Sequence, residues 1–312
     1  MEQENKNVSQ KSKYTFLGFL GVLIWGASNA FGRSLAETFG NFSSTGLTNI
    51  GAGIISTIYQ IRKTGIESYK RAPLRYWLTC GILYVVYKLS TNLAVGVAVT
   101  REQVVTSGLI RVMWPLLTLI VAVIMFRDEN KVSKAFPVGI ILSALGILVA
   151  NTEGDSFSLI NTLKVMFGEG FWASALSVVS CISWAFYSNL NRKIVGEENY
   201  DAAGLFMIIT GVIAFAVTFF IDEPQHFYMQ QIGEVIYIVV FSSFLGTLFW
   251  NSSMQKGNQM LVVFAANFIP VFSTVISALF LGVKVTSFMV IGSILVVAGT
   301  IWCKKCVTPV EQ

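Results

Sequence analysis

Lys88 and Arg111 fall inside long apolar stretches, and no Asp or Glu lies in the middle of any such stretch to neutralise them. A cation in a bilayer core costs about 2.5–3.5 kcal/mol on the insertion scale, so an intramembrane charge marks a functional site until a structural partner accounts for it. A solute carboxylate is one such partner, and it binds either cation through charge-assisted hydrogen bonds. The competing reading is structural: Lys88 snorkels or meets backbone carbonyls, and Arg111 stacks on an indole.

Polar and aromatic residues cluster around these cations at helical spacings of three, four and seven. The clusters are Trp25, Ser28, Asn29 and Gly32; Tyr84, Tyr87, Lys88, Thr91 and Asn92; Arg111, Trp114, Pro115 and Thr118; Trp184, Tyr187, Ser188 and Asn191; and Asn267, Pro270 and Thr274. Such faces should turn away from lipid. Trp77, Trp172 and Trp302 lie near segment ends, where the interfacial aromatic belt explains them. Trp25, Trp114 and Trp184 lie too deep for the belt, which leaves a cavity lining or helix packing. The expected solute contacts are Trp25, Asn29, Tyr84, Lys88, Asn92, Arg111, Trp114, Trp184, Tyr187 and Asn267. Pro115 and Pro270 each remove a helix hydrogen bond and make either hinges or packing kinks. Arg33 and Glu37, one turn apart, form either a gate or an ordinary surface pair.

The elements that hold these residues are membrane helices. Of the 312 residues 54% are hydrophobic and 12% charged, against about 25% charged in an average soluble domain. Apolar stretches near 15–36, 43–61, 74–97, 103–126, 131–150, 171–193, 201–221, 232–254, 260–282 and 286–303 predict ten spans, leaving no soluble domain. The first follows a basic arm (1–14) and lacks the features of a cleaved signal, so it should remain a helix. Alternating sides along the chain, sixteen of the 22 Lys and Arg fall on one side, which places both termini in the cytoplasm of a multi-pass inner (plasma) membrane protein. The net charge of +5 reflects that bias and carries no nucleic-acid footprint.

The halves echo each other. Trp25 precedes Arg33 by eight positions, as Trp184 precedes Arg192; Pro115 and Thr118 match Pro270 and Ser273. Lys131-Val132-Ser133 with Gly139 and Gly146 recurs as Lys284-Val285-Thr286 with Gly292 and Gly299, at identical spacings. The fold class expected is all-α, with two inverted five-helix repeats at 1–151 and 171–303, an extracytoplasmic connector at 152–170 and a cytoplasmic tail at 304–312.

The segments Trp25-x7-Arg33-x3-Glu37-x2-Gly40, Arg111-Val-Met-Trp114-Pro115-Leu-Leu-Thr118, Ser183-Trp184-Ala-Phe-Tyr187 and Asn267-Phe-Ile-Pro270-Val resemble the drug/metabolite transporter superfamily with paired EamA domains, in particular its YddG-type aromatic amino-acid exporters. The resemblance covers almost the whole chain. It implies ten helices rocking around a central cavity lined by helices 1, 3, 4, 6, 8 and 9, and export of amino acids. Lys88 and Arg111 depart from the family's usual residues near those positions.

The expected function is therefore a carrier for aromatic or other apolar amino acids, working as exporter or exchanger. Export of lipophilic cations, drugs or other metabolites is the alternative carrier, and a non-transporting receptor or scaffold is the alternative class. No enzyme is expected, because the single His226 lies in a loop and the motifs of intramembrane catalysis are missing. Without a mid-membrane carboxylate to titrate, facilitated diffusion or exchange is favoured over proton antiport. No cofactor and no metal are expected: Cys80 and Cys181 read as small core residues, and Cys303 with Cys306 is a lone C-x-x-C. Gly139, Ser143, Gly146, Gly292 and Gly299 read as close helix contacts, between helices 5 and 10 or across a dimer, so the chain is a monomer or homodimer. The remaining partners are an amino-acid-like solute and the bilayer.

Overall fold

The structure, a computed structural model, describes residues 2–150, 159–195, 200–229, 231–269 and 286–309. It is almost entirely helical. The principal helices are α1 (Glu2–Phe39), α2 (Asn41–Thr64), α3 (Leu74–Gly96), α4 (Arg101–Val112), α5 (Trp114–Met125), α6 (Phe136–Ala150), α7 (Phe171–Val195), α8 (Ala203–Val217), α9 (Gln231–Lys256), α10 (Gln259–Ala266) and α11 (Ser287–Lys305). Four stretches among the described residues are long and apolar enough to cross a bilayer: Leu74–Gly96, Thr106–Met125, Phe171–Val195 and Gln231–Lys256. Helices dominate because, in lipid, each backbone N–H and C=O must find its partner within the protein.

Sequence explains the breaks. Gly40 separates α1 from α2 at φ 95°, a left-handed conformation that glycine adopts without penalty. The exposed N–H groups of α2 are capped from across the chain by Glu223, which accepts from Phe42 N at 2.8 Å and Ser43 N at 2.9 Å. Met113 divides α4 from α5 two residues before Pro115, whose missing N–H leaves the Arg111 carbonyl without its helical partner. The Cys181 thiol meets that carbonyl at 3.4 Å, so Cys181 does more than fill core space. α3 and α9 each contain a π-helical stretch, Trp77–Gly81 and Tyr237–Gly246.

The packing repeats between halves. α3 packs on α7 as α9 packs on α1, and α4 and α5 pack on α7 as α10 packs on α1. α2 pairs with α8 and α6 with α11, each a first-half helix against its second-half counterpart. The glycines make these last pairs close. A Cβ on Gly146 would fall 2.5 Å from Val296 N, and one on Gly53 2.6 Å from the Gly204 carbonyl. The small residues of α6 and α11 thus meet within one chain.

Some expectations need correcting. The basic arm is helical, because helix α1 already runs from Glu2. The fifth helix begins at Phe136, since Asn130–Val132 forms strand β1, antiparallel to β2 (Val307–Pro309) in the tail. These short segments carry the β-branched Val132, Val307 and Thr308 and lie beyond the last helical turns, so pairing satisfies their backbone groups. The connector contains a helix, Leu159–Phe167.

Candidate functional site

Four indoles meet at the centre of the bundle. Trp25 (α1) lies with ring centroids 5.9 Å from Trp114 (α5), 5.6 Å from Trp184 (α7) and 5.3 Å from Trp250 (α9). Trp114 is 5.9 Å from Trp184 and 5.4 Å from Trp250, and Trp184 is 6.2 Å from Trp250, so all six pairs are in contact. Edge-to-face and tilted geometries dominate, the arrangements that ring quadrupoles favour by about 0.5–1.5 kcal/mol per pair.

Local chain breaks aim these rings. Trp25 Nε1 donates to the Ser242 carbonyl at 3.0 Å, within the π stretch of α9 where the ladder is widened. Trp114 opens α5 after the Met113 break. Trp250 Nε1 donates to Ser188 Oγ at 3.1 Å. Trp184 Nε1 is buried without a hydrogen-bond partner and stands as a free donor inside the cluster. Trp250 and Trp184 are only 0% and 4% exposed, while Trp25 and Trp114 are half-buried. Trp25 and Trp114 thus keep part of their surface accessible, whereas Trp184 and Trp250 keep almost none.

Tyr87 connects it to the cations. Its ring lies 4.7 Å from Trp184, with Lys88 Nζ 5.5 Å from its centroid and the Arg111 guanidinium within electrostatic reach of its hydroxyl. Neither cation has a carboxylate partner among the described residues, and Arg111 Nε is buried with no hydrogen bond. An unpaired guanidinium N–H beside an open aromatic face suits a planar acceptor such as a carboxylate.

Other expected residues sit elsewhere. Tyr84 and Tyr187 are fully buried behind the tetrad, 5.2 Å apart ring to ring. Asn92 is a strut: Oδ1 accepts from Thr45 at 3.0 Å, Nδ2 donates to the Lys88 carbonyl, and its own carbonyl accepts from Asn41. Asn267 is buried at the end of α10, bonded through Nδ2 to the Val263 carbonyl, with Oδ1 unpartnered. Pro115 sits in the first turn of α5. Glu37 is exposed. Pro270 and the side chains of Asn29 and Arg33 lie outside the described residues. Trp250 and Tyr87 complete the site, and Trp250 carried no sequence signal distinct from the interfacial belt.

The end of the bundle that carries most Lys and Arg is bridged by a polar network. Arg192 pairs with Glu129 at 2.8 Å and donates to Gln259, which donates to Asn189 Oδ1 at 2.6 Å; Asn189 reaches the Thr118 carbonyl at 3.1 Å. Gln255 donates to Asn191 and the Asn258 backbone N–H donates to Thr15. At that end α7 packs on the last turns of α9, whereas the π half of α9 packs on α1 and α2.

The EamA-like transporter family matches this sequence twice, at residues 12–152 and 171–303. The chain is 21% identical over 297 residues to the aromatic amino acid exporter YddG of Salmonella typhimurium (strain 14028s / SGSC 2262), covering 93% of this chain and 96% of that protein. It is 20% identical over 296 residues to the exporter of the same name in Escherichia coli (strain K12), covering 94% and 97%. It is 26% identical over 272 residues to the uncharacterized transporter YyaM of Bacillus subtilis (strain 168), covering 85% of each. One solved structure superposes with a TM-score of 0.75 at 19% identity, over 95% of this chain and 97% of that one.

Proposed function

We propose, because this chain belongs to the EamA-like transporter family, that it carries aromatic or other apolar amino acids across the inner membrane by alternating access. The observation that carries this reading is the tryptophan tetrad joined through Tyr87 to two cations that have no acidic partner. A solute ring stacks on the open faces of Trp25 and Trp114. Its carboxylate meets Lys88 or Arg111, a charge-assisted contact worth about 1.5–3 kcal/mol. A lipophilic cation finds the same indole faces but is repelled by both cations. Two relatives named as aromatic amino acid exporters support the same solute class.

Ten spans in two inverted repeats, 1–151 and 171–303, joined through 152–170, fit the repeated packing, and the basic bias supports cytoplasmic termini. The Arg192–Glu129–Gln259 network then shuts the cytoplasmic end, and the accessible surfaces of Trp25 and Trp114 are reached from the opposite one.

Counterflow in proteoliposomes tests the proposal. Preloaded unlabelled phenylalanine should drive accumulation of labelled phenylalanine, while preloaded alanine gives less and a preloaded lipophilic cation none. Counterflow of a labelled lipophilic cation against its own preload, with no accumulation of labelled phenylalanine under any preload, would exchange the amino-acid reading for a drug exporter.

A further inference from the structure

Asp201 stands just ahead of α8, half-buried, and takes no part in the tryptophan site. Its Oδ1 accepts the Ala203 backbone N–H at 2.9 Å, and its Oδ2 accepts the Asn251 side-chain N–H at 3.2 Å. The same Asn251 nitrogen donates to the Tyr187 hydroxyl at 3.0 Å, and the Tyr187 ring lies 5.4 Å from Trp184. Two hydrogen bonds and one ring contact thus join this carboxylate to the tetrad. On its other side Asp201 lines a cavity of about 30 Å³, room for one or two waters, among the basic-end residues Gln60, Lys63, Gln255 and Lys256.

We propose that Asp201 is a proton-binding site, filled through this cavity, whose occupancy is relayed by reversal of the Asn251 amide to Tyr187 and the tryptophan tetrad. The inference rests on the carrier reading but not on which solute is carried.

Donor and acceptor counting gives the relay its chemistry. An ionised Asp201 only accepts, so Asn251 turns its NH2 toward it, and Tyr187 accepts from that same group. A protonated Asp201 donates. The amide then turns over, Oδ1 accepts from both Asp201 and Tyr187, and the tyrosine changes from acceptor to donor. In the present orientation Asn251 Oδ1 is buried with no partner, so nothing on the far side of the amide holds it against reversal.

The surroundings set the proton's affinity. Burial raises the Asp201 carboxyl above its ordinary range, opposed by the Ala203 N–H, the Asn251 amide and the field of Lys63 on α2. The carboxylate's own field reaches Tyr69, Tyr76, Cys80 and Tyr84 from the α3 side and Tyr187 on α7. Tyr14 of α1, Tyr200 and Lys256 of α9 complete the ring around the cavity. Glu197 and Glu198 lie outside the described residues.

The test begins without solute. Tryptophan fluorescence of the purified protein, titrated from about pH 4 to about pH 9, should show a transition above the ordinary Asp value of about 4. Asp201→Asn should abolish it, Asp201→Glu should displace it, and Asn251→Ala should abolish it although the acid remains. The same transition in wild type and Asp201→Asn overturns the site, and a full transition in Asn251→Ala overturns the relay. Counterflow is then measured with the basic-end side set below and then above the midpoint of the fluorescence transition. Wild-type flux should change by about fivefold or more, a coupling of ordinary size. Asp201→Asn should still exchange solute with that dependence lost, and wild-type flux indifferent to pH overturns the coupling. Absent counterflow with an intact Asp201-dependent fluorescence transition would sink the solute assignment and support the proton site.

Discussion

Arg192 holds Glu129 at 2.8 Å while its guanidinium lies 4.2 Å above the centroid of Phe126. The end of α7 is thereby tied to the turn after α5, and Gln259 brings the start of α10 into the same knot. The pair's side chains are 25% and 51% exposed, so solvent screens the attraction to about 0.5–1 kcal/mol.

Glu129→Gln should therefore raise the population open at the basic end by roughly two- to fivefold. The readout is alkylation of a cysteine placed at Ser252 in a Cys306→Ser background, with an impermeant maleimide added from that side. An unchanged rate would remove the pair from the closure.

Lys88→Gln should weaken carboxylate-bearing solutes by about ten- to a hundredfold, the loss of one charge-assisted bond, and spare their decarboxylated amines. Competition for counterflow by phenylalanine and phenethylamine separates the outcomes. Equal loss for both would make Lys88 structural.

Trp114 and Trp250 should respond differently to truncation. Trp114 is half-buried, so Trp114→Ala should cut flux at least about tenfold with membrane expression retained. Trp250 is 0% exposed, and Trp250→Ala should cost about 3–5 kcal/mol of stability. Trp250→Phe, which loses only the bond to Ser188 and some volume, should assemble. Thermal aggregation curves beside flux tell these cases apart; a stable Trp250→Ala would contradict the close packing of Trp250 in the tetrad.

Gly146→Val should prevent assembly, because its Cβ would meet the Val296 backbone nitrogen at 2.5 Å, whereas Gly108→Ala, with nothing within 4 Å of its Cβ, should be tolerated. Expression with monodisperse elution is the measurement. A well-behaved Gly146→Val would mean that α6 and α11 separate easily.

Much of this is legible in the sequence, for physical reasons that also mark its limits. Apolar length and basic asymmetry expose a helical membrane bundle, because lipid leaves the backbone few alternatives. Trp25, Trp114 and Trp184 stand out because belts do not reach their depth. Trp250 does not stand out, since it lies near the end of its segment, and the π stretch Tyr237–Gly246 resets which face it occupies. Tyr84, Tyr187 and Asn92 obey helical spacing, yet spacing cannot distinguish a cavity face from a face packed on another helix. Asp201 escapes attention because it precedes its helix; only the fold brings Asn251 and Tyr187 to it. The β1–β2 pair needs partners from distant parts of the chain, which no local pattern encodes.

The glycine contacts between α2 and α8 and between α6 and α11 also bear on mechanics. Where backbone touches backbone there is no layer of side chains whose rotamers could change to accommodate a shift of one helix on the other. Each pair should therefore move as one stiff strut. The remaining helices include three interrupted ladders, at Met113 between α4 and α5, within Tyr237–Gly246 of α9 and at the Asn267 turn after α10. Amide hydrogen exchange should therefore divide the molecule unevenly, slow along the two struts and fast at the three interruptions that flank the indoles.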